Sequence, residues 1–229
     1  MLKKAFVPFG GYYSTPFTRW QGSMANENSI VLAGNTKKRW LAQKGWDAGM
    51  FDYLVFGVTI SQKSQFYAST WAAALMGAGH IPGVTIGQAC TTSATCVFNA
   101  AMGVETGLYK NCCALMTDRC SNGPHTVWPN PNGPGGEVLS ENWLMDNFNS
   151  DPNVGLRMIE TAENVAKTGG FTKEQCDELV LRRYEQYTEA LADDRAFQKR
   201  YMFPAEVKLS RKKTKLVELD EGPMPTTKE

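Results

Sequence analysis

Histidine is scarce in this chain: its 229 residues include two, His80 and His125. No Cys-x-x-Cys pair occurs among the six cysteines. The usual ligand spacings of a structural zinc site are therefore missing, and no metal is expected. Charge of one sign is missing too. Lys plus Arg number 24 and Asp plus Glu 23, a formal net charge of +1. Nothing in that balance argues for nucleic acid or an anionic membrane surface as a partner. Nowhere does an apolar run approach the roughly 20 residues of a membrane-spanning helix. The N-terminal Met1-Leu2-Lys3-Lys4-Ala5-Phe6-Val7 runs into Pro8 and two glycines, and its apolar part is shorter than the about 7–15 residues a secretion signal needs. A cytoplasmic, soluble protein is expected, with neither nucleic acid nor membrane as partner. There the cysteines (Cys90, Cys96, Cys112, Cys113, Cys120 and Cys176) are expected to be reduced thiols, most of them packed in the core.

What is present suits a globular chain with a sizeable core: 42% apolar and 21% charged residues. Residues 4–9 read as a short strand and 10–22 as a loop. Residues 25–44 carry Ile30, Leu32, Ala33 and Leu41 at helical intervals. Residues 51–60 read as a buried strand, and 65–78 as an alanine-rich helix stopped by Gly79 and Pro82. A strand over 83–88 and a helix over 91–106 follow, the helix with Ala94, Val97, Phe98 and Ala101 on one face and Gly107 closing it. Residues 111–117 are a further buried strand. This alternation predicts βαβ units with right-handed crossovers and a mostly parallel sheet covered by helices on both faces. It breaks after residue 118. Residues 128–136 (WPNPNGPGG) read as loop, and 154–168 and 172–192 as helices, the second opened by a capping box of Thr172 and Gln175. Residues 205–219 read as an extended pair around a basic turn, Arg211-Lys212-Lys213. That turn is a solvated one or, alternatively, a phosphate contact.

Cys90 is the residue with the most chemistry in prospect. It lies where the run Gly83-Val84-Thr85-Ile86-Gly87-Gln88-Ala89 gives way to the small-residue helix Thr91-Thr92-Ser93-Ala94-Thr95-Cys96. The N–H dipoles of a helix start favour a thiolate, the form that attacks acyl groups. The same junction joins strand to helix in any α/β protein. The placement therefore admits a nucleophile or a small buried apolar residue.

Beyond Cys90 the order is a helix of small residues ending at Gly107, a strand ending at Thr117, and a loop ending Gly123-Pro124-His125. With it come Ser14-Thr15-Pro16-Phe17, Gly22-Ser23, Met158-Ile159-Glu160-Thr161-Ala162-Glu163-Asn164, Thr172-Lys173-Glu174-Gln175, Asp220-Glu221 and Thr226-Thr227. In this order, over essentially the whole chain, the segments resemble the N-terminal half and loop domain of the thiolase family. There are departures. Thr91-Thr92-Ser93 stands where the family usually has Gly-Ser-Gly, Arg157 where it often has histidine, and Met224 where an arginine often lies beside CoA. The segments of the family's second half, with its own histidine and second reactive cysteine, do not occur, and the sequence stops at Glu229 where that half would begin.

The resemblance implies an α/β fold, a thiolase-like βαβαβαβ half (a mixed, mostly parallel sheet covered by helices) with an inserted α-rich loop domain. The expected segments are 1–118 for the α/β half, 119–204 for the loop domain and 205–229 for a closing stretch. It implies Cys90 as the acyl-carrying nucleophile, with Arg157 and Met158 toward the substrate. The implied reaction is thiolytic cleavage of a 3-oxoacyl-CoA, or the reverse Claisen condensation. Coenzyme A is then a substrate, and no bound cofactor or metal is expected. Neither His80 nor His125 matches the family's catalytic histidine. The resemblance thus implies a second polypeptide with the C-terminal half or, alternatively, that this chain is one piece of a cleaved or longer thiolase. It also implies a homo- or hetero-oligomer and, as in some family members, a small zinc-ribbon and OB-fold partner. Another condensing enzyme of the superfamily (a ketoacyl synthase or hydroxymethylglutaryl-CoA synthase) and a non-catalytic scaffold subunit are the alternatives.

Overall fold

In Tyr53-Leu54-Val55-Phe56-Gly57 both alternating sets of side chains lack charge. Such a strand suits a sheet buried on both faces. In the computed structural model, which describes residues 2–227, it is the central strand β1 (Tyr53–Gly57) of a three-stranded parallel sheet. β2 (Gly83–Ile86) and β3 (Cys112–Met116) flank it, with Gly57 opposite both Ile86 and Met116. Met1, Lys228 and Glu229, at the outer ends of the first and last expected segments, lie outside the described residues.

The period of two sorts the side chains. Leu54, Phe56 and Val58 pack with Cys113 and Leu115 beneath helices α1 (Ser29–Lys44) and α2 (Ala68–Met76), which contribute Ile30, Ala33, Ala72, Ala73 and Met76. Val55, Cys112 and Ala114 face the other way, against Cys96 and Ala100 of α3 (Thr92–Glu105). Leu54 and Phe56 are fully buried, each contributing about 1.5–3 kcal/mol.

α3 seats itself by the stripe opposite to the one expected. It buries Thr92, Cys96, Ala100 and Gly103, whereas Val97 and Phe98 are 44% and 63% exposed. Space decides this: a Cβ on Gly57 would lie 2.7 Å from Cys96 Sγ, so helix and sheet approach too closely for a Phe or Val between them. α1 and α2 meet in a similar way. A Cβ on Gly34 would fall 2.5 Å from Leu75 Cβ. α1 is framed by Asn28, whose side chain accepts the N–H groups of Ile30 (3.0 Å) and Val31 (3.3 Å), and by Gly45 in the left-handed conformation at φ 66°. Lys37 of α1 is buried, its ammonium 4.2 Å from the Trp40 ring centroid and 5.3 Å from that of Phe51. Desolvation holds its pKa below the ordinary lysine value.

Residues 4–9 form no strand. The amides of this segment go to a side chain instead: Glu105, the last residue of α3, accepts the N–H of Lys3 at 2.9 Å, of Lys4 at 2.7 Å and of Ala5 at 3.0 Å. These donors, first that of Lys4, hold the carboxyl below the usual carboxylate range. A carboxyl depressed in the folded state contributes stability above its unfolded pKa and loses it as pH falls through the folded value. Acidification, or Glu105→Ala at neutral pH, is therefore expected to free the segment. The protection factors of the amides of residues 3–5, taken relative to the intrinsic exchange rate at each pH, should fall in both cases, with those of β1 unaffected.

The chain divides into two compact units: residues up to Asn122 together with Met202–Asp220, and Gly123–Tyr201 with the residues from Glu221 on. In the first, the return segment forms the antiparallel hairpin β6 (Ala205–Lys208) and β7 (Thr214–Val217), as its sequence predicted. It is tied to its unit by Lys208 N–H on Glu27 Oε1 (2.8 Å) and by Phe203 packing on Trp40 and Leu41. In the second unit, where a loop was expected over 128–136, β4 (His125–Pro129) pairs antiparallel with β5 (Val138–Asn142). The prolines and glycines belong to the connection, and a two-stranded ribbon tolerates Pro129 at its end. A short helix α4 (Met145–Asn149), then α5 (Met158–Gly169) and α6 (Lys173–Ala190), complete this unit. The Thr172–Gln175 capping box is present, with Thr172 N–H on Gln175 Oε1 at 3.0 Å and Gln175 N–H on Thr172 Oγ1 at 3.3 Å. Among the described residues no helix is long and apolar enough to cross a membrane.

Candidate active site

Three parallel strands end together, and the segments leaving their C-terminal ends form the site, as open α/β sheets arrange it. Ile86 and Met116 stand level on either side of Gly57, about 10 Å apart at ordinary strand spacing. Thr59, two residues beyond β1, closes that gap. Its N–H donates to Asp118 Oδ2 at 3.0 Å and its hydroxyl to the Ala89 carbonyl at 3.1 Å. Ile60 N–H adds a bond to Asp118 Oδ1 at 2.8 Å. Asp118 thus ties the segment after β3 to the one after β1. Desolvation keeps its carboxyl above the usual carboxylate range despite the amide donors that favour its charge.

Cys90 lies in the short turn Ala89–Thr91 that leads into α3, and its thiol is exposed. Exposure removes the reading of Cys90 as a buried apolar residue. Ala89, immediately before it, has φ 44°, a left-handed conformation that costs a residue with a Cβ about 1–3 kcal/mol. The turn is bonded on both sides. Thr91 N–H and Oγ1 bond the Gln88 carbonyl at 3.0 and 2.9 Å, Thr95 donates to the Gln88 side chain, and Gln88 N–H donates to Thr92 Oγ1 at 2.7 Å. All six cysteines are free thiols, but the expectation that most are core is corrected: Cys96 and Cys113 are buried, Cys112 half-buried, and Cys90, Cys120 and Cys176 exposed. Burial pushes the Cys96 and Cys113 thiols up, and that of Cys112 up to about 12, so these three stay protonated. Cys120 is raised by partial desolvation, then by its interactions with Asp118 and with Cys90. It belongs to the same neighbourhood.

His80 precedes β2, at the end of that strand opposite the one from which the Cys90 turn leaves. His125 opens β4 in the other unit, its Nε2 3.4 Å from Asn142 Nδ2. Arg157 and Met158 also belong to that unit. Arg157 caps α5, giving its N–H to Glu160 Oε2 (2.8 Å) and its guanidinium to Glu160 Oε1 (3.1 Å), and Met158 is 39% exposed. Of the sequence-predicted site residues, the strand-end cluster contains Cys90. Thr59, Asp118 and Cys120 went unread in the sequence. The available signal was their position two to four residues beyond the C-terminal ends of parallel strands.

A parallel α/β sheet with an exposed cysteine on a strained turn before a small-residue helix defines a cysteine-centred α/β class. Residues 11–229 match the family model "Thiolase, N-terminal domain", and the chain belongs to the thiolase family. It is similar to an acetyl-CoA acetyltransferase of Yarrowia lipolytica, 26% identical over 222 residues, covering 93% of this chain and 53% of that protein. A 3-ketoacyl-CoA thiolase of Citrobacter koseri is 27% identical over 199 residues, covering 78% of this chain and 45% of that protein. The fold is that of the Bacillus anthracis acetyl-CoA acetyltransferase (TM-score 0.78, 22% identity, covering 92% of this chain and 53% of that one). It is equally that of human mitochondrial 3-ketoacyl-CoA thiolase in complex with CoA (TM-score 0.76, 23% identity, covering 93% and 53%). The chain spans about half the length of the curated relatives it matches.

Proposed function

We propose that this chain is the nucleophile-bearing part of a thiolase-type acyltransferase that acts on acyl-CoA thioesters. The exposed Cys90 at the head of α3, where the segments from three parallel strands converge, carries the reading. Its thiolate attacks the 3-keto carbon of a 3-oxoacyl-CoA. The Cα–Cβ bond breaks, its electron pair leaves on the α-carbon, and that carbon takes a proton to give the departing acyl-CoA. The shortened acyl group stays on Sγ as a thioester. The CoA thiol loses its proton to a base, attacks the thioester carbonyl and expels the Cys90 thiolate. The same steps reversed make the Claisen condensation. Sulfur serves both halves, as nucleophile and as leaving group. The positive end of α3 is placed to favour the oxyanion that forms at each attack.

A base for the thiol and an acid/base for the α-carbon are also required, and His80, before the N-terminal end of β2, lies at the wrong end of the strand to supply either. In this reading they come from a C-terminal half on a second polypeptide, seated on the exposed face of α3 with Val97 and Phe98. The insertion 119–204 is the loop domain, with Arg157 and Met158 toward the substrate, CoA is a substrate, and no cofactor is bound. Intact-mass analysis of the natively purified protein after incubation with acetoacetyl-CoA tests the reading. The expected result is an acyl-sized mass gain on this chain and a co-purifying second chain. No adduct with that second chain present would move the chemistry elsewhere and leave this chain a scaffold subunit. Isolation of the chain alone as a stable, active monomer would sink the two-chain part.

A further inference from the structure

One buried hydroxyl holds the turn that carries Cys90. Thr92 is 6% exposed. Its Oγ1 accepts the Gln88 N–H at 2.7 Å and donates to the Ala89 carbonyl at 2.8 Å, and the Thr59 hydroxyl meets it at 2.9 Å. The Thr59 hydroxyl also reaches the Ala89 carbonyl, at 3.1 Å. Each hydroxyl has one proton, so the two threonines share that carbonyl. Thr92, with the shorter contact and the Gln88 N–H as well, is the one bonded on both sides of the turn. Two of its bonds land on the groups that bracket Ala89, the residue at φ 44°. Its methyl is wedged as well: Thr92 Cγ2 stands 3.0 Å from the position of a Cβ on Gly57, so the side chain rests directly on β1.

We propose that Thr92 is the positioning residue for Cys90: its hydroxyl clamps Ala89 in the left-handed conformation and so aims Sγ out of the turn toward the acyl group. The proposal rests on Cys90 being the acyl carrier. Freed of the clamp, Ala89 relaxes to negative φ and the thiol moves. A displacement of about 1 Å costs near 100-fold in an attack that depends on alignment. Thr92 stands where the family motif has serine, so the hydroxyl is the shared feature and the methyl the added one, and the bare α-carbon of Gly57 makes room for that methyl.

The test is the rate at which iodoacetamide alkylates Cys90 in the purified protein, followed by peptide mass, beside the rate of acyl-adduct formation from acetoacetyl-CoA. Thr92→Val keeps the volume and removes the hydroxyl, and both rates are expected to fall about 10–100-fold. Thr92→Ser restores the hydroxyl and is expected to keep both within about threefold of wild type. Unchanged rates in Thr92→Val, or a serine variant as slow as the valine variant, would overturn the proposal. Should Thr92→Val fail to fold, Thr92→Ala takes its place in both assays, with the same outcomes; Ala89→Gly supplies a second arm. Glycine adopts positive φ without strain, so the effect of Thr92→Val must shrink in that background. An equal effect with and without the glycine also overturns the clamp. The two readings fail separately. A wild-type chain that takes no acyl group refutes the acyl carrier, while alkylation still reports on the turn.

Discussion

Serine in place of Cys90 is expected to abolish the acyl adduct on this chain and to reduce turnover by about 10⁴-fold or more. A serine hydroxyl is un-ionised near neutral pH and, once acylated, leaves poorly, so both half-reactions fail together. Cys90 is exposed, and the change should leave stability within about 0.5 kcal/mol. The other cysteines supply the contrast. Cys96 is fully buried against Val55 with its thiol raised by burial; Cys96→Ser should destabilise the chain, because an unpaired hydroxyl enters an apolar contact, yet leave the adduct in place. Intact mass with and without acetoacetyl-CoA, together with Tm for each variant, separates the outcomes. An adduct that survives Cys90→Ser would place the acyl group on another residue.

The second large effect lies beneath the site. Gly57→Val is expected to displace α3, because the new Cβ would sit 2.7 Å from Cys96 Sγ, 2.9 Å from Met116 Cγ and 3.0 Å from Thr92 Cγ2. Overpacking of this kind costs about 1–3 kcal/mol or more, roughly 2–4 °C of Tm per kcal/mol at this size. Thr92 is among the atoms struck, so Cys90 labelling should slow as well. Phe56→Ala makes the matched control. Phe56 is fully buried on the opposite face of the sheet, under α1 and α2. Its truncation should cost about 3–5 kcal/mol, more than the glycine substitution. In the fraction that remains folded, however, Cys90 should react at the wild-type rate. Equal labelling rates in the two variants would mean that the seat of α3 does not govern the thiol.

Much of the fold could be read from residue order, and the reason is local. The apolar runs around Leu54, Val84 and Ala114, separated by alanine-rich helical stretches, define a parallel sheet with helices on both faces. Thr172 and Gln175 define their capping box, because each element's pattern is contained within its own few residues. Cys90 could be picked out in the same way, as a thiol at a strand-to-helix junction. Three features could not. Residues 4–9 have the composition of a strand, but the segment is held by the amides of Lys3, Lys4 and Ala5 on Glu105, about a hundred residues away. Periodicity shows that α3 has an apolar stripe with Val97 and Phe98. Which stripe faces the sheet follows from the bare α-carbon of Gly57, which draws the small stripe of Cys96 and Ala100 inward. Trp128 and Pro129 read as loop because pairing with Val138 and Leu139 leaves no mark in a proline-rich segment.

By itself the sequence determined the class of fold, the family and the identity of the candidate nucleophile, since all three depend on residue types in order along the chain. Only the tertiary structure decided that Cys90 is exposed while Cys96 is buried, that Ala89 is held at φ 44°, and that Thr59, Asp118 and Thr92 meet around that turn. Those facts depend on the ends of three strands being brought level by their register. Register comes from hydrogen bonds between segments about thirty to sixty residues apart, and no local pattern carries that information.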